Sequence, residues 1–313
     1  MKSKLNKINK KVLFILLFIF WGCFLYSQTY QDPFEKPVEL KYSADIDFFF
    51  YSWEKFVEIQ KNLPKKEFKE KYESKLFDKV FPSNEDWVVP EFSIDKIQLI
   101  DLNNDKNNEM IMYIDLDINW KDTLMVIFVK KDQKIFFQRF GVLKGGGLGV
   151  EDIDNDNIFE LLSYSRFGQN VSNVDSFTFP RVYKWNDNHF IKASSEYKGF
   201  YKEYIKKLQT EKSKIIEQKS ADIGDEKIRQ LRLTNFIMAE NLANKTIGDR
   251  NYIGQKEAIE WVKSKDWELR ENALGVLSYF KDDQTQKTIQ EMTKDKNEKV
   301  SKKAKELLKP SND

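Results

Sequence analysis

The chain offers little to covalent or redox chemistry. Its 313 residues include one cysteine, Cys23, and one histidine, His189. A single cysteine excludes an internal disulfide. A single histidine excludes a multi-histidine zinc site and any Ser-His-Asp arrangement built on another base. His189 follows the turn Asn186-Asp187-Asn188 and reads as an exposed strand residue, not a catalytic base. Net charge is nearly absent too: 52 Lys and Arg face 50 Asp and Glu, a balance of +2. No global basic field therefore argues for nucleic acid, and no aromatic-basic stripe does so either. Nor does the N-terminal apolar run reach membrane-spanning length. Val12 to Tyr26 covers 15 residues, whereas a span needs about 20.

That run follows Lys2, Lys4, Lys7, Lys10 and Lys11, which is the order of an export signal. Residues 1–27 are assigned to targeting and left out of the fold. Ser27 is a small residue at the cleavage position, with Gln28 as the mature start. Cleavage there removes the cysteine and with it all thiolate chemistry. Gly22-Cys23 resembles the end of a bacterial lipoprotein signal, which implies a lipid anchor at Cys23. Phe20 and Trp21 depart from the aliphatic and small residues of that pattern. Cleavage at Ser27, lipidation at Cys23 and an uncleaved anchor are three outcomes of one segment. Each places the chain outside the cytoplasm, in the periplasm, the envelope or the medium, touching membrane only through the signal or anchor.

What remains is rich in core-forming residues: 14% are aromatic and 33% charged, which argues against disorder. Residues 28–91 read as a helical lead-in, extended at first around Pro33 and Pro37. Ser43 caps a helix whose apolar face is Ile46, Phe49, Phe50, Trp53, Phe56 and Val57. Pro64 opens a second helix with Phe68, Tyr72, Leu76 and Val80 four apart. Stripes at that spacing indicate a hairpin packed on the next domain, not a ligand groove. Residues 92–197 switch to strand periodicity: Ile94 to Ile100, Met110 to Ile114, Thr123 to Val129, Ile135 to Phe140, Leu161 to Tyr164, Phe177 to Phe179, Arg181 to Trp185 and His189 to Ile191. Between Phe140 and Leu161 lies Lys144-Gly145-Gly146-Gly147-Leu148-Gly149. It lacks the Gly-Lys-Ser/Thr ending of a phosphate loop and reads as a close backbone approach or bulge. Residues 198–313 are helical, with Gln230 to Leu242 expected as an irregular cap. Ala258-Ile259 realigns on Thr288-Ile289, a shift of 30, and Ala273 on Ala304, a shift of 31. A helix pair repeating at that length must stack to bury its apolar face.

The most informative stretch is Glu151-Asp152-Ile153-Asp154-Asn155-Asp156-Asn157-Ile158-Phe159-Glu160. Acids on alternate residues of a turn direct several oxygens to one place, as a hard cation requires. An earlier copy, Asp101 to Glu109, begins 51 residues before Asp152. Both turns resemble the calcium loops of FG-GAP (VCBS) repeats. That resemblance implies Ca²⁺ held by Asp152, Asp154, Asp156, Glu160 and the Ile158 carbonyl. In the weaker copy it implies Asp101, Asn103, Asp105, Glu109 and the Asn107 carbonyl. Neither is an EF-hand, because the twelfth positions are Met112 and Ser163. The family prefers Gly at position 6, where the backbone turns with positive φ. Asn157 tolerates that conformation; Lys106 does so poorly and adds a positive charge. The rival reading is a turn stabilised by its own Asx side chains without metal.

The C-terminal repeat resembles short HEAT-type repeats through Asp266-Trp267-Glu268-Leu269-Arg270-Glu271-Asn272-Ala273-Leu274 and Tyr279-Phe280-Lys281-Asp282-Asp283, which implies protein contacts through stacked helix faces. The expectation is thus an α+β protein with an N-terminal helix hairpin over 28–91. A small antiparallel β domain follows over 92–197, an open sheet in preference to a partial propeller. A HEAT-like helical solenoid closes the chain over 198–313. The expected role is a non-enzymatic envelope or secreted binding or scaffold protein, contacting protein or glycan, with Ca²⁺ structural. The alternative is an extracellular hydrolase working through a carboxylate pair.

Overall fold

A computed structural model describes residues 36–81, 92–116, 122–142, 147–167, 177–217 and 226–309. The N-terminal segment expected to direct export, with Cys23 and Ser27, lies outside them. No helix among the described residues is long and apolar enough to cross a membrane.

The chain is α+β. A short strand, β1 (Val38–Leu40), leads into a 3₁₀ turn and α1 (Asp47–Tyr51), α2 (Trp53–Asn62) and α3 (Lys65–Phe68). A π turn (Lys69–Glu73) and α4 (Ser74–Val80) follow. The two helices expected here are therefore broken into four. Ser52 ends α1 in extended backbone and caps α2, its Oγ accepting from the Lys55 N–H at 3.3 Å.

Two open antiparallel sheets follow where one small sheet was expected. The first has the order β1-β5-β4-β3-β2, with β2 Phe92–Ile100, β3 Glu109–Leu116, β4 Asp122–Lys131 and β5 Lys134–Val142. The second runs β6-β7-β8-β9, with β6 Gly147–Glu151, β7 Glu160–Phe167, β8 Phe177–Asn186 and β9 His189–Lys192. Alternation assigns the faces. In β4, Leu124, Val126 and Phe128 pack with Phe49, Phe56, Leu76 and Val80 of the helices. Met125, Ile127 and Val129 pack instead with Leu161, Tyr183 and Phe190 of the second sheet. The helical stripes are core, as expected: the Phe49 and Phe128 rings meet edge to face at 4.8 Å.

Side chains bond to the backbone of two edge strands, β2 and β9. Edge strand β2 shifts register between Ile94 and Lys96, and the buried Glu73 carboxylate accepts the Ile94 N–H at 2.7 Å. Lys69 donates to the Phe92 carbonyl at 2.7 Å. Edge strand β9 is met by Gln138 of β5, whose amide both accepts from Phe190 N–H and donates to its carbonyl at 2.8 Å. Pro180 does not split β8 into two runs. It lies beyond the reach of β9, which pairs only with Tyr183–Asn186, so its missing N–H breaks no ladder bond.

Among the described residues, six helices follow: α5 (Lys198–Glu217), α6 (Glu226–Thr246), α7 (Gln255–Trp261), α8 (Trp267–Leu277), α9 (Asp283–Met292) and α10 (Glu298–Leu307). Far from an irregular cap, α6 is the hub. Ala243 joins Leu162, Val182 and Tyr201 in the core under the second sheet. Ile237 and Met238 join Ala258, Leu274, Ile289 and Val300 in the C-terminal core. At the buried positions the repeat register is 31, against the shift of 30 expected in its first helix. The buried partner of Ala258 is Ile289, and the caps Asp266 and Asn297 match Leu269 with Val300 and Ala273 with Ala304. A buried ion pair ties the repeats: Arg270 donates to both Asp295 oxygens at 2.7 and 2.9 Å, and to the Ser264 and Lys265 carbonyls.

Removing one member of such a pair strands a buried charge. Asp295→Ala is expected to cost about 3–5 kcal/mol in urea unfolding. Arg270 holds the Asp295 carboxyl below its usual range, so this contribution is present above pH 3.8 and fades as pH falls below it. Glu73 works in the opposite sense, because burial raises its pKa above 4.5. Its contribution is full below pH 4.5 and declines as pH rises through the folded-state value. Glu73→Gln keeps an acceptor for Ile94. The variant should therefore gain stability over the wild type as pH rises from about 4 to about 7, read as a widening gap between their urea midpoints in paired titrations.

Candidate metal centre

The two acidic turns occupy equivalent places, one joining β2 to β3 and the other β6 to β7. Four hydrogen bonds repeat between them. Asp101 accepts from the Asp105 N–H at 3.1 Å and the Lys106 N–H at 2.9 Å. Asp152 accepts from Asp156 at 3.1 Å and Asn157 at 3.0 Å. Asp105 accepts from the Asn107 N–H, and Asp156 from the Ile158 N–H, each at 2.7 Å. Glu109 accepts from the Leu102 N–H at 2.8 Å, and Glu160 from the Ile153 N–H at 2.9 Å. The first acid of each turn thus folds over the amides at positions 5 and 6. That closure needs left-handed backbone at two residues: Asn104 (φ 59°) and Lys106 (φ 71°), then Asn155 (φ 62°) and Asn157 (φ 66°). Asn suits it through its short polar side chain; Lys carries the ordinary Cβ penalty.

Among the described residues, Asp152, Asp154 and Asp156 converge, each placing a carboxylate oxygen within 4.8 Å of the others. Asp154 and Asp156 are exposed, and Asp152 half-buried. Burial first, then the charges of Asp156 and Asp152, push the Asp154 carboxyl above its usual range. Three like charges in that space repel, and a bound cation would relieve them. Glu160 lies inward of this group. It is 2% exposed, and its second oxygen accepts from the Tyr197 hydroxyl at 2.9 Å. Burial raises its pKa against those two hydrogen bonds.

In the first turn the same geometry carries a different donor set. Asn103 replaces the middle aspartate, accepts from the Asp105 N–H at 3.0 Å and donates to the Asp105 carboxylate at 3.1 Å. Its amide thus satisfies a carboxylate that in the second turn faces two others. Glu109 is buried, and burial, followed by repulsion from Asp105 and Asp101, pushes its pKa up to about 7. Asn107 and Ile158, whose carbonyls the resemblance assigns as ligands, close the turns with their N–H groups held.

Two features of the site had no signal in the sequence. The Phe159 N–H donates to the Leu102 carbonyl at 2.9 Å, joining the second turn to the first across the sheet interface. Tyr197, just ahead of α5, ties Glu160 to the helical region. Both are contacts between residues more than 35 positions apart, and no local pattern marks them. Comparisons with protein-family models, curated proteins and solved structures returned no match for this chain.

If the left-handed backbone at Lys106 is strained, an asparagine there should relieve it. Lys106→Asn is expected to raise stability by about 0.5–1 kcal/mol, read as a higher urea midpoint with an unchanged m-value.

Proposed function

We propose that this chain is an exported binding or scaffold protein whose second acidic turn holds a structural Ca²⁺. The observation that carries this reading is the convergence of Asp152, Asp154 and Asp156 on a turn whose backbone is already closed by its own hydrogen bonds. Ca²⁺ takes six to eight oxygen ligands at roughly 2.3–2.6 Å. Glu160, the Ile158 carbonyl and water would complete the set around the three aspartates. The turn that begins at Asp101 is the weaker site, with one fewer aspartate, an amide and a lysine at position 6. The ion's role is mechanical: it would cancel repulsion between the aspartates and fix the corner between β6 and β7. The export signal supports an extracytoplasmic location, periplasmic, envelope-bound or secreted. In its favour as a binder are the HEAT-like helical repeat, which presents stacked faces suited to a protein, and the sheets, whose loops would meet protein or glycan.

Calorimetric titration with Ca²⁺ tests this. The wild-type chain should show one dominant site that Asp154→Ala abolishes and Asp105→Ala leaves in place. Calcium at 100 times its Kd should add about 2.7 kcal/mol of stability. Unchanged binding by Asp154→Ala would exclude the second turn. Pull-downs from envelope extract with and without chelator then report whether partner capture depends on the ion.

A further inference from the structure

A cavity of about 710 Å³ opens between the second sheet and the C-terminal end of α6. Its volume falls within the roughly 300–1,000 Å³ of small-molecule sites. Three cations line it from separate elements: Arg181 on β8, Lys192 at the end of β9 and Lys245 in the last turn of α6. Among the described residues that line it there is no carboxylate. Among the described residues Arg181, Lys192 and Lys245 take part in no ion pair or side-chain hydrogen bond, so no protein anion neutralises them. Lys184, one turn of strand away, is held by Glu196, and Lys212 by Glu240 at 2.7 Å.

The remaining wall matches a charged ligand with an organic body. Ser165 and Ser195 bring hydroxyls, Thr246 brings one that already donates to the Leu242 carbonyl at 2.8 Å, and Phe179, Tyr201 and Leu242 form an apolar floor. Two polar groups near that floor are already committed: Ser194 Oγ accepts from the Val182 N–H at 3.0 Å, and the Tyr201 hydroxyl donates to the Pro180 carbonyl at 2.7 Å. The carbonyl end of α6 would oppose an anion. Its last carbonyls are taken, however, since Ala243, Asn244 and Lys245 accept from Ile247, Asp249 and Gly248.

We propose that this cavity binds a small oxyanion ester, a phosphorylated or sulfated compound such as a sugar ester, through Arg181, Lys192 and Lys245. Arg181 offers the planar fork that suits two ester oxygens, and the lysines act as point charges on the rim. None of its lining residues belongs to the acidic turns, and the proposal does not rest on calcium being bound.

The test is calorimetry on the full chain at low ionic strength with glucose 6-phosphate, glucose 6-sulfate and glucose. One or both esters should bind and glucose should not; which ester binds identifies the oxyanion. Lys192→Gln and Lys245→Gln should each weaken ester binding by about fivefold to tenfold, and Arg181→Gln by more. Raising salt should weaken it further. Lys256→Gln, on the exposed face of α7, should change nothing. Absence of saturable ester binding overturns the proposal. So does equal weakening by Lys256→Gln, or retained affinity in a folded Arg181→Gln/Lys192→Gln/Lys245→Gln variant. If that triple variant does not fold, unchanged affinity in both single lysine variants overturns it.

Discussion

From Leu124 to Val129 every side chain of β4 is withdrawn from water, and a strand that is apolar on both faces needs a layer on each side. The N-terminal helices supply one layer and the second sheet the other. The second sheet in turn has a far face, covered by α5 and α6. Each layer therefore exists because its neighbour has a surface to bury. Aromatic contacts carry the joins: Phe49 on Phe128 at 4.8 Å on one side and Phe140 on Tyr183 at 5.5 Å on the other. At roughly 25 cal/mol per Å² of apolar surface removed from water, these two interfaces dominate the stability of the β region.

Polar groups then fix what apolar burial leaves loose. Hydrophobic layers slide; hydrogen bonds set their register. The Gln138 amide on Phe190 and the Phe159 N–H on the Leu102 carbonyl both cross from one sheet to the other. On α6, Asn241 clamps the backbone of Ile253 with two bonds at 2.8 and 3.0 Å, and Glu240 gathers Gln209 and Lys212 of α5. The acidic turns belong to this set. Their carboxylates bind their own backbone first and leave Asp154 directed outward.

How much of this the sequence disclosed depended on whether the cause was local. The strands with continuous or alternating apolar runs were legible, as were the turns, because spacing and Asx chemistry act within a few residues. β1 escaped because three residues flanked by Pro37 and Lys41 carry no periodicity, and β6 because glycines dilute its pattern. The split into two sheets depends on pairing partners, which no single strand specifies. α6 was misread for a different reason: Thr234, Asn235, Glu240, Asn241 and Asn244 are buried in it, and polar residues turned inward do not register as a hydrophobic face. In the candidate site, the converging aspartates were legible, whereas Tyr197 and the link between the turns were not.

The pairing of β1 with β5 sets the order in which the fold can be completed. Val38 lies opposite Phe137, so the first strand waits for about a hundred residues of chain before it has a partner. The helices between them have nowhere to bury Phe49 or Phe56 until β4 is in place. A chain threaded from its N-terminus therefore stays open through this stretch and closes late, when β5 pairs with β4 on one side and takes up β1 on the other. Such non-local closure is slow compared with helix formation. Until then the apolar faces of the helices and of β4 stay open to water, so this stretch is the part of the fold most exposed to wrong contacts while it forms.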